Sequence, residues 1–203
     1  MIHILVGKRT EEDAVQFISG LAKKLGTQLP LFTSDELPHY KTALKRCYSE
    51  LVPVPLTGLR GRPFKPIHLI YQDLKYATVH KVRVNQRVVK VTRKFVFGDD
   101  YDIKAILRKS TFSETVNTAG VERQNLTMRQ HNRRLTRKTL GFSKIKSNME
   151  AQLALTMSYY NFVLDNRSLY IKGVGGRTPA MAAGLTNHKW SMTELLTYRV
   201  IKS

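Results

Sequence analysis

Apolar positions recur at helical spacing in three stretches of the chain and alternate in a fourth. Ala14, Phe17, Ile18, Leu21 and Leu25 share one face of a helix. Thr10 stands before it as an N-cap, and Glu11, Glu12 and Asp13 fall in the first turn, where acids complement the helix dipole. Tyr40, Ala43, Leu44, Cys47 and Leu51 repeat the spacing, and Ile145, Met149, Leu153, Tyr160 and Leu164 do so again. Residues 2–7 (IHILVG) and 29–33 read as buried strands flanking the first helix, which predicts a right-handed crossover and a parallel strand pair. Between residues 77 and 98 the pattern alternates. Val82, Val84, Val89, Val91, Phe95 and Phe97 are assigned to one face and Lys81, Arg83, Lys90 and Lys94 to the other, a β-hairpin turning near Asn85-Gln86-Arg87.

Smaller signals punctuate these elements. Asp99, Asp100 and Asp102 cluster after Gly98 without the further oxygen ligands of a calcium loop, so a turn ahead of a short helix is expected. Residues 52–66 are rich in Pro and Gly, with Arg60, Arg62 and Lys65, and read as a basic loop. The glycines of residues 173–176 suggest a connector. Thr178-Pro179 opens a short helix, and Ser191 to Glu194 forms a capping box for a last one.

Charge changes this picture most. In 203 residues, 34 Lys and Arg face 15 Asp and Glu, a formal charge of +19, and a pI near 10.2. Self-repulsion on this scale points to a polyanionic partner, with nucleic acid ahead of an anionic membrane. No apolar run approaches the ~20 residues of a spanning helix, and a cytoplasmic location without a membrane role is expected. Cys47 is the only cysteine and the six histidines lack ligand spacing, which excludes an intrachain disulfide and a thiolate zinc cluster.

The charge is densest in residues 117–146, NTAGVERQNLTMRQHNRRLTRKTLGFSKIK. There Glu122 is the only carboxylate among Arg123, Arg129, Arg133, Arg134, Arg137, Lys138, Lys144 and Lys146. A helix over residues 118–135 would place Glu122, Leu126, Arg129 and Arg133 on one face, and Val121, Met128 and Leu135 on a docking seam. A solvated charged helix normally interleaves both signs. This one does not, so its basic residues are candidates for phosphate contact. Asp35 follows the second predicted strand. Read alone, it is first a start signal for the next helix and second a ligand position at the carboxyl end of a strand.

Seven segments in order, SDELPHY (34–40), LKYATVHKVRV (74–84), VTRKFVFG (91–98), VERQNLTMRQ (121–130), RRLTRKTLGFSK (133–144), YYNF (159–162) and RTPAMAAGLT (177–186), resemble bacterial insertion-element transposases of the DDE class, in the InsB-like group. The resemblance covers nearly the whole chain. It implies an RNase H-like α/β core that lacks its first strands and carries an inserted basic hairpin and a helical C-terminal part. It also implies two Mg²⁺ or Mn²⁺ ions held by Asp35 and Glu122 as the second and third acids of the triad. The partner would be DNA, at insertion-element ends and target, and a homo-oligomer is compatible with the family.

The expected organisation is a partial core over residues 1–51, a basic loop and hairpin over 52–116, the Glu-bearing basic helix and a core helix over 117–170, and a short helical tail over 171–203. No acid precedes Glu11. The resemblance therefore leads to the expectation of a transposase beginning inside its catalytic domain, without a first Asp and inactive in cleavage on its own. Two other classes fit the charge: a non-enzymatic basic nucleic-acid-binding protein and, less well, a ribosome-associated one.

Overall fold

The computed structural model describes residues 2–26, 29–54, 64–110, 113–136, 138, 140–173 and 175–199. It is a mixed α/β protein with a small mixed sheet and several helices. The chain divides into two compact units, Gly7–Arg123 and, separately, Met1–Val6 with Gln124–Ser203.

In the first unit, α1 (Glu11–Ala22) begins as its sequence dictates. Thr10 Oγ1 accepts from the Asp13 N–H at 3.2 Å, and the Asp13 carboxylate returns to the Thr10 N–H, closing a capping box. Asp13 also accepts from the Lys8 N–H at 2.5 Å. This carboxylate presses so closely on Gly7 that a Cβ there would lie 2.6 Å from it. Next come β1 (Leu31–Asp35) and α2 (Pro38–Cys47), the latter with Pro at its first turn. Asp35 does not cap α2: Leu37 is the N-cap residue, and no side chain caps it.

The centre of the unit is a three-stranded sheet in the order β1-β4-β5, where β4 is Lys75–Val84 and β5 is Arg87–Phe97. β1 runs parallel to β4, with Asp35 opposite Val79, and β4 and β5 form the expected antiparallel hairpin. Its two-residue turn has positive φ at Asn85 (48°) and Gln86 (64°), the twist a tight hairpin demands. A separate ribbon pairs β2 (Ser49–Val52) with β3 (Ile67–Ile70). Then α3 (Asp100–Lys109) follows the turn at Gly98, as the acidic cluster predicted.

Helices α1 and α2 bury Ala14, Ile18, Ala43, Leu44 and Tyr48 with Leu74 and Tyr76. Phe32 and Phe97 join this cluster. The opposite face buries Ala77, Val79 and Val116, with Leu31, Phe95 and Leu107 against them. Alternation along β1 and β4 therefore feeds two cores, one on each side of the sheet.

Several expectations are corrected. Residues 2–7 form no strand, so the crossover they were expected to open is not made; the parallel partner of β1 is β4. The second strand is displaced to Leu31–Asp35, and α2 stops at Cys47, leaving Leu51 in β2. The hairpin does not keep one apolar face. Register shifts between Tyr76 and Ala77 and between Val82 and Arg83 put Val91 opposite Lys81, and Lys90 opposite Val82. Each bulge turns the following side chains over, which no pattern read one strand at a time can reveal.

In the second unit, α5 (Lys146–Phe162) is the helix predicted from Ile145 onward. Its aromatics pack rather than face solvent as stacking platforms. Phe162 lies 4.6 Å from Trp190, Tyr159 lies 5.6 Å from His131, and Tyr160 Oη accepts from Asn166 Nδ2. The glycine-rich connector proves to be part of a ribbon, β6 (Asn166–Ile171) with β7 (Gly175–Arg177), while Val174 lies outside the described residues. Thr178 caps α6 (Pro179–Ala182) and Ser191 caps α7 (Met192–Thr197), as predicted. Among the described residues no helix is long and apolar enough to cross a membrane.

Leu44→Ala removes a side chain that is 1% exposed between α1, α2 and the sheet, and should cost about 2–4 kcal/mol in urea unfolding. Leu126→Ala, at a position 55% exposed, should cost less than about 0.5 kcal/mol. Equal losses would contradict this core.

Candidate functional site

Parallel pairing places Asp35 at the carboxyl end of β1 and on the sheet face that carries Val79. Side chains two apart on a strand share a face, so Lys81 lies on the same side, one pleat further along β4. Strand spacing and rise put the Cα atoms of Asp35 and Lys81 about 8 Å apart. Lys81 Nζ contacts Glu122 Oε1 at 2.5 Å. Glu122 stands in the first turn of α4 (Ala119–His131), and Thr118 Oγ1 donates to the same oxygen at 3.0 Å. Asp35 and Glu122, far apart in sequence, thus converge on one face of the sheet.

The rest of this face supports the arrangement. Arg93, opposite Val79 on β5, donates from Nε to the Val116 carbonyl at 2.7 Å and ties the segment before α4 to the hairpin. A cleft of about 360 Å³ opens beside β1, lined by Leu31, Thr33, Leu107, Val116, Gly120 and Val121 among others. On the reverse face Glu36 is occupied, with His80 Nδ1 at 2.7 Å and Lys94 Nζ at 2.8 Å. Adjacent acids therefore have separate surroundings: Glu36 is bound by two basic side chains, whereas Asp35 is exposed beyond the strand end.

Electrostatics follow this geometry. The Lys81 ammonium, bonded to the Glu122 carboxylate, holds its pKa below the ordinary glutamate range, and the Thr118 hydroxyl adds to the effect. Burial raises the Tyr76 and Tyr40 phenols, and the charge of Asp35 contributes to both rises. Ser34 Oγ lies 2.7 Å from Tyr76 Oη, a fixed polar contact beneath the residue preceding Asp35.

The basic residues are placed less regularly than predicted. Arg123 is exposed on α4 and Arg129 sits in its last turn, two turns beyond Glu122. The helix then ends at His131. Asn132 is fully buried, and its side chain accepts from the Arg134 N–H, starting a short 3-10 turn at Arg133–Leu135. Arg133 consequently leaves the predicted face. Of the predicted seam Met128 is buried, Leu135 is half-buried and Val121 is 53% exposed. Arg134 donates to Ser143 Oγ at 3.0 Å, and Lys138 and Lys144 are exposed. Arg137, Arg60 and Arg62 lie outside the described residues.

The donor set contains two carboxylates suited to a hard divalent cation, which prefers oxygen ligands and retains water and phosphate for its other positions. Among the described residues no group of three or more His, Cys, Asp or Glu gathers as a complete ligand set. Lys81 and Thr118 were missed as partners of Glu122. Their signal was faint: Lys81 is one of several hairpin lysines, and only the pairing of β1 with β4 distinguishes it. No family model, curated protein or solved structure matched the chain in comparisons with all three.

A glutamate whose folded pKa is depressed contributes stability above its unfolded pKa and loses that contribution as pH falls through the folded value. Carboxyl-detected NMR titration should give Glu122 a midpoint below ordinary glutamate, and Lys81→Met should move it upward. An unmoved midpoint would contradict the ion pair in solution.

Proposed function

We propose that the chain is a DNA transposase polypeptide of the DDE class, with an RNase H-like core and with Asp35 and Glu122 as two of its metal-binding acids. The observation that carries this reading is the β1–β4 register, which brings the acid at the end of β1 to the face where Lys81 grips Glu122. The sequence segments that resemble transposases contain both acids and Lys81, so the resemblance and the geometry select the same residues independently.

Bound divalent ions would supply activation of the attacking water or 3′-hydroxyl and stabilisation of the leaving oxygen in phosphodiester cleavage and strand transfer. Asp35 and Glu122 hold those ions through carboxylate oxygens. Arg123, Arg129, Arg133, Arg134, Arg137, Lys138 and Lys144 neutralise DNA phosphates and position the backbone without reading its sequence. With two acids rather than three in the site, the chain alone binds DNA but does not cut it. The protein works in the cytoplasm on the ends of the mobile element and on its target.

A second reading, a non-enzymatic nucleic-acid-binding protein, is favoured by one feature: Lys81 already neutralises Glu122. The two readings separate on divalent ions. Under the transposase reading, Mg²⁺ strengthens DNA binding and Asp35→Ala abolishes that gain; under the second, neither matters. A complete dependence of any plasmid nicking on Asp35 and Glu122 would overturn the prediction that the chain alone is inactive.

Binding should weaken steeply with salt. Arg129→Ala and Arg133→Ala should each weaken binding and lower the slope of log affinity against log salt by up to about 0.9 on duplex DNA. An unchanged slope in both would remove the arginines from the interface.

A further inference from the structure

Lys81 and Thr118 both bond Oε1 of Glu122, while Glu122 Oε2 has no bonded partner. The residue is about half exposed on its solvent side, whereas the Lys81 side chain is largely covered. A lysine ammonium in this position is a monovalent cation delivered to a carboxylate by the fold itself. It stands on the sheet face shared by Asp35, where a divalent ion between the two acids would stand close to it. Two cations separated by a few ångströms on one carboxylate repel each other strongly. Thr118, which is uncharged, carries no such conflict.

We propose that Lys81 is an internal counter-cation for the metal site: it occupies Glu122 while the site is empty and yields it when a divalent ion binds. This inference rests on the reading of Asp35 and Glu122 as metal ligands. The four-carbon stem of lysine permits the exchange, because rotation about its single bonds can swing the ammonium off Oε1 while its backbone remains in the β4 ladder. The freed ammonium then turns toward DNA phosphate, which is drawn to the same face. Lys81 is thus a positioning residue that keeps Glu122 ordered and near the sheet before the ligands arrive. It also sets a threshold for metal occupancy, since the ion must compete with a tethered cation. Without Lys81, two acids would face each other with their repulsion unrelieved.

The test is Mn²⁺ binding to the full chain, measured by the loss of the free-ion electron paramagnetic resonance signal. The proteins are wild type, Lys81→Met, Lys81→Arg and Glu122→Gln, with circular dichroism to confirm folding. Lys81→Met should tighten Mn²⁺ about fivefold, the value of an ion pair at a partly exposed site. Lys81→Arg should bind like wild type, and Glu122→Gln should lose the site. If Lys81→Met binds Mn²⁺ no more tightly than wild type while Glu122→Gln still loses it, the counter-cation role is overturned and the metal-site reading stands. If Glu122→Gln binds as wild type does, or if none of the proteins binds Mn²⁺, both are overturned together. Should Lys81→Met fold poorly, Lys81→Gln provides the same loss of charge with a polar side chain and the same two outcomes.

Discussion

The parallel ladder between Leu31–Asp35 and Lys75–Val84 is the constraint from which the rest of the first unit follows. It fixes which side of the sheet each residue of β4 faces. Phe32 and Tyr76 are sent to the core under α1 and α2, while Leu31, Ala77 and Val79 are sent to the core around Val116. A one-residue slip would exchange these two sets and place a lysine and a histidine in apolar surroundings. The same register puts Asp35 and Lys81 on one side and Glu36, His80 and Lys94 on the other. Packing and site geometry are therefore one specification.

A protein with a charge of +19 has few carboxylates to distribute, and several of them are engaged by basic side chains. Glu11 meets Arg46, Glu36 meets His80 and Lys94, and Glu122 meets Lys81. Exposed pairs of this kind contribute only about 0–1 kcal/mol each to stability. Their larger consequence is local: they lower the repulsion among Lys and Arg where the hairpin and helices crowd them together. Asp35 differs from these acids in its location at the end of a strand. That difference gives the pair Asp35 and Glu122 chemical interest beyond charge balance.

Much of the local structure was legible in the sequence because short-range chemistry determines it. Thr10 with Asp13, Asn85 with Gln86, and Thr178 with Pro179 specify cap, turn and helix start through bonds spanning a few residues. The failures have a common cause in longer range. IHILVG has the composition of a strand, yet a strand requires a partner ladder, which composition cannot supply. The helix carrying Glu122 was drawn too long because the buried Asn132, which interrupts it, looks in sequence like one more polar residue in a basic run. Asp35 and Glu122 were identifiable as candidates through resemblance. Their shared sheet face, and the grip of Lys81 on Glu122, depend on pairing between strands that are 40 residues apart and lay beyond any local pattern.

The central claim is that Asp35 and Glu122 share a divalent-ion site on one face of this sheet. It is tested most directly by replacing that ion with Fe²⁺ and mapping backbone cleavage by the hydroxyl radicals generated at it, using mass spectrometry of the fragments. The account predicts cuts in two neighbourhoods at once, around Asp35 and Val79 and around Glu122, with both sets lost in Asp35→Ala and in Glu122→Ala. Cleavage at only one neighbourhood, or cleavage that survives both substitutions, would contradict it.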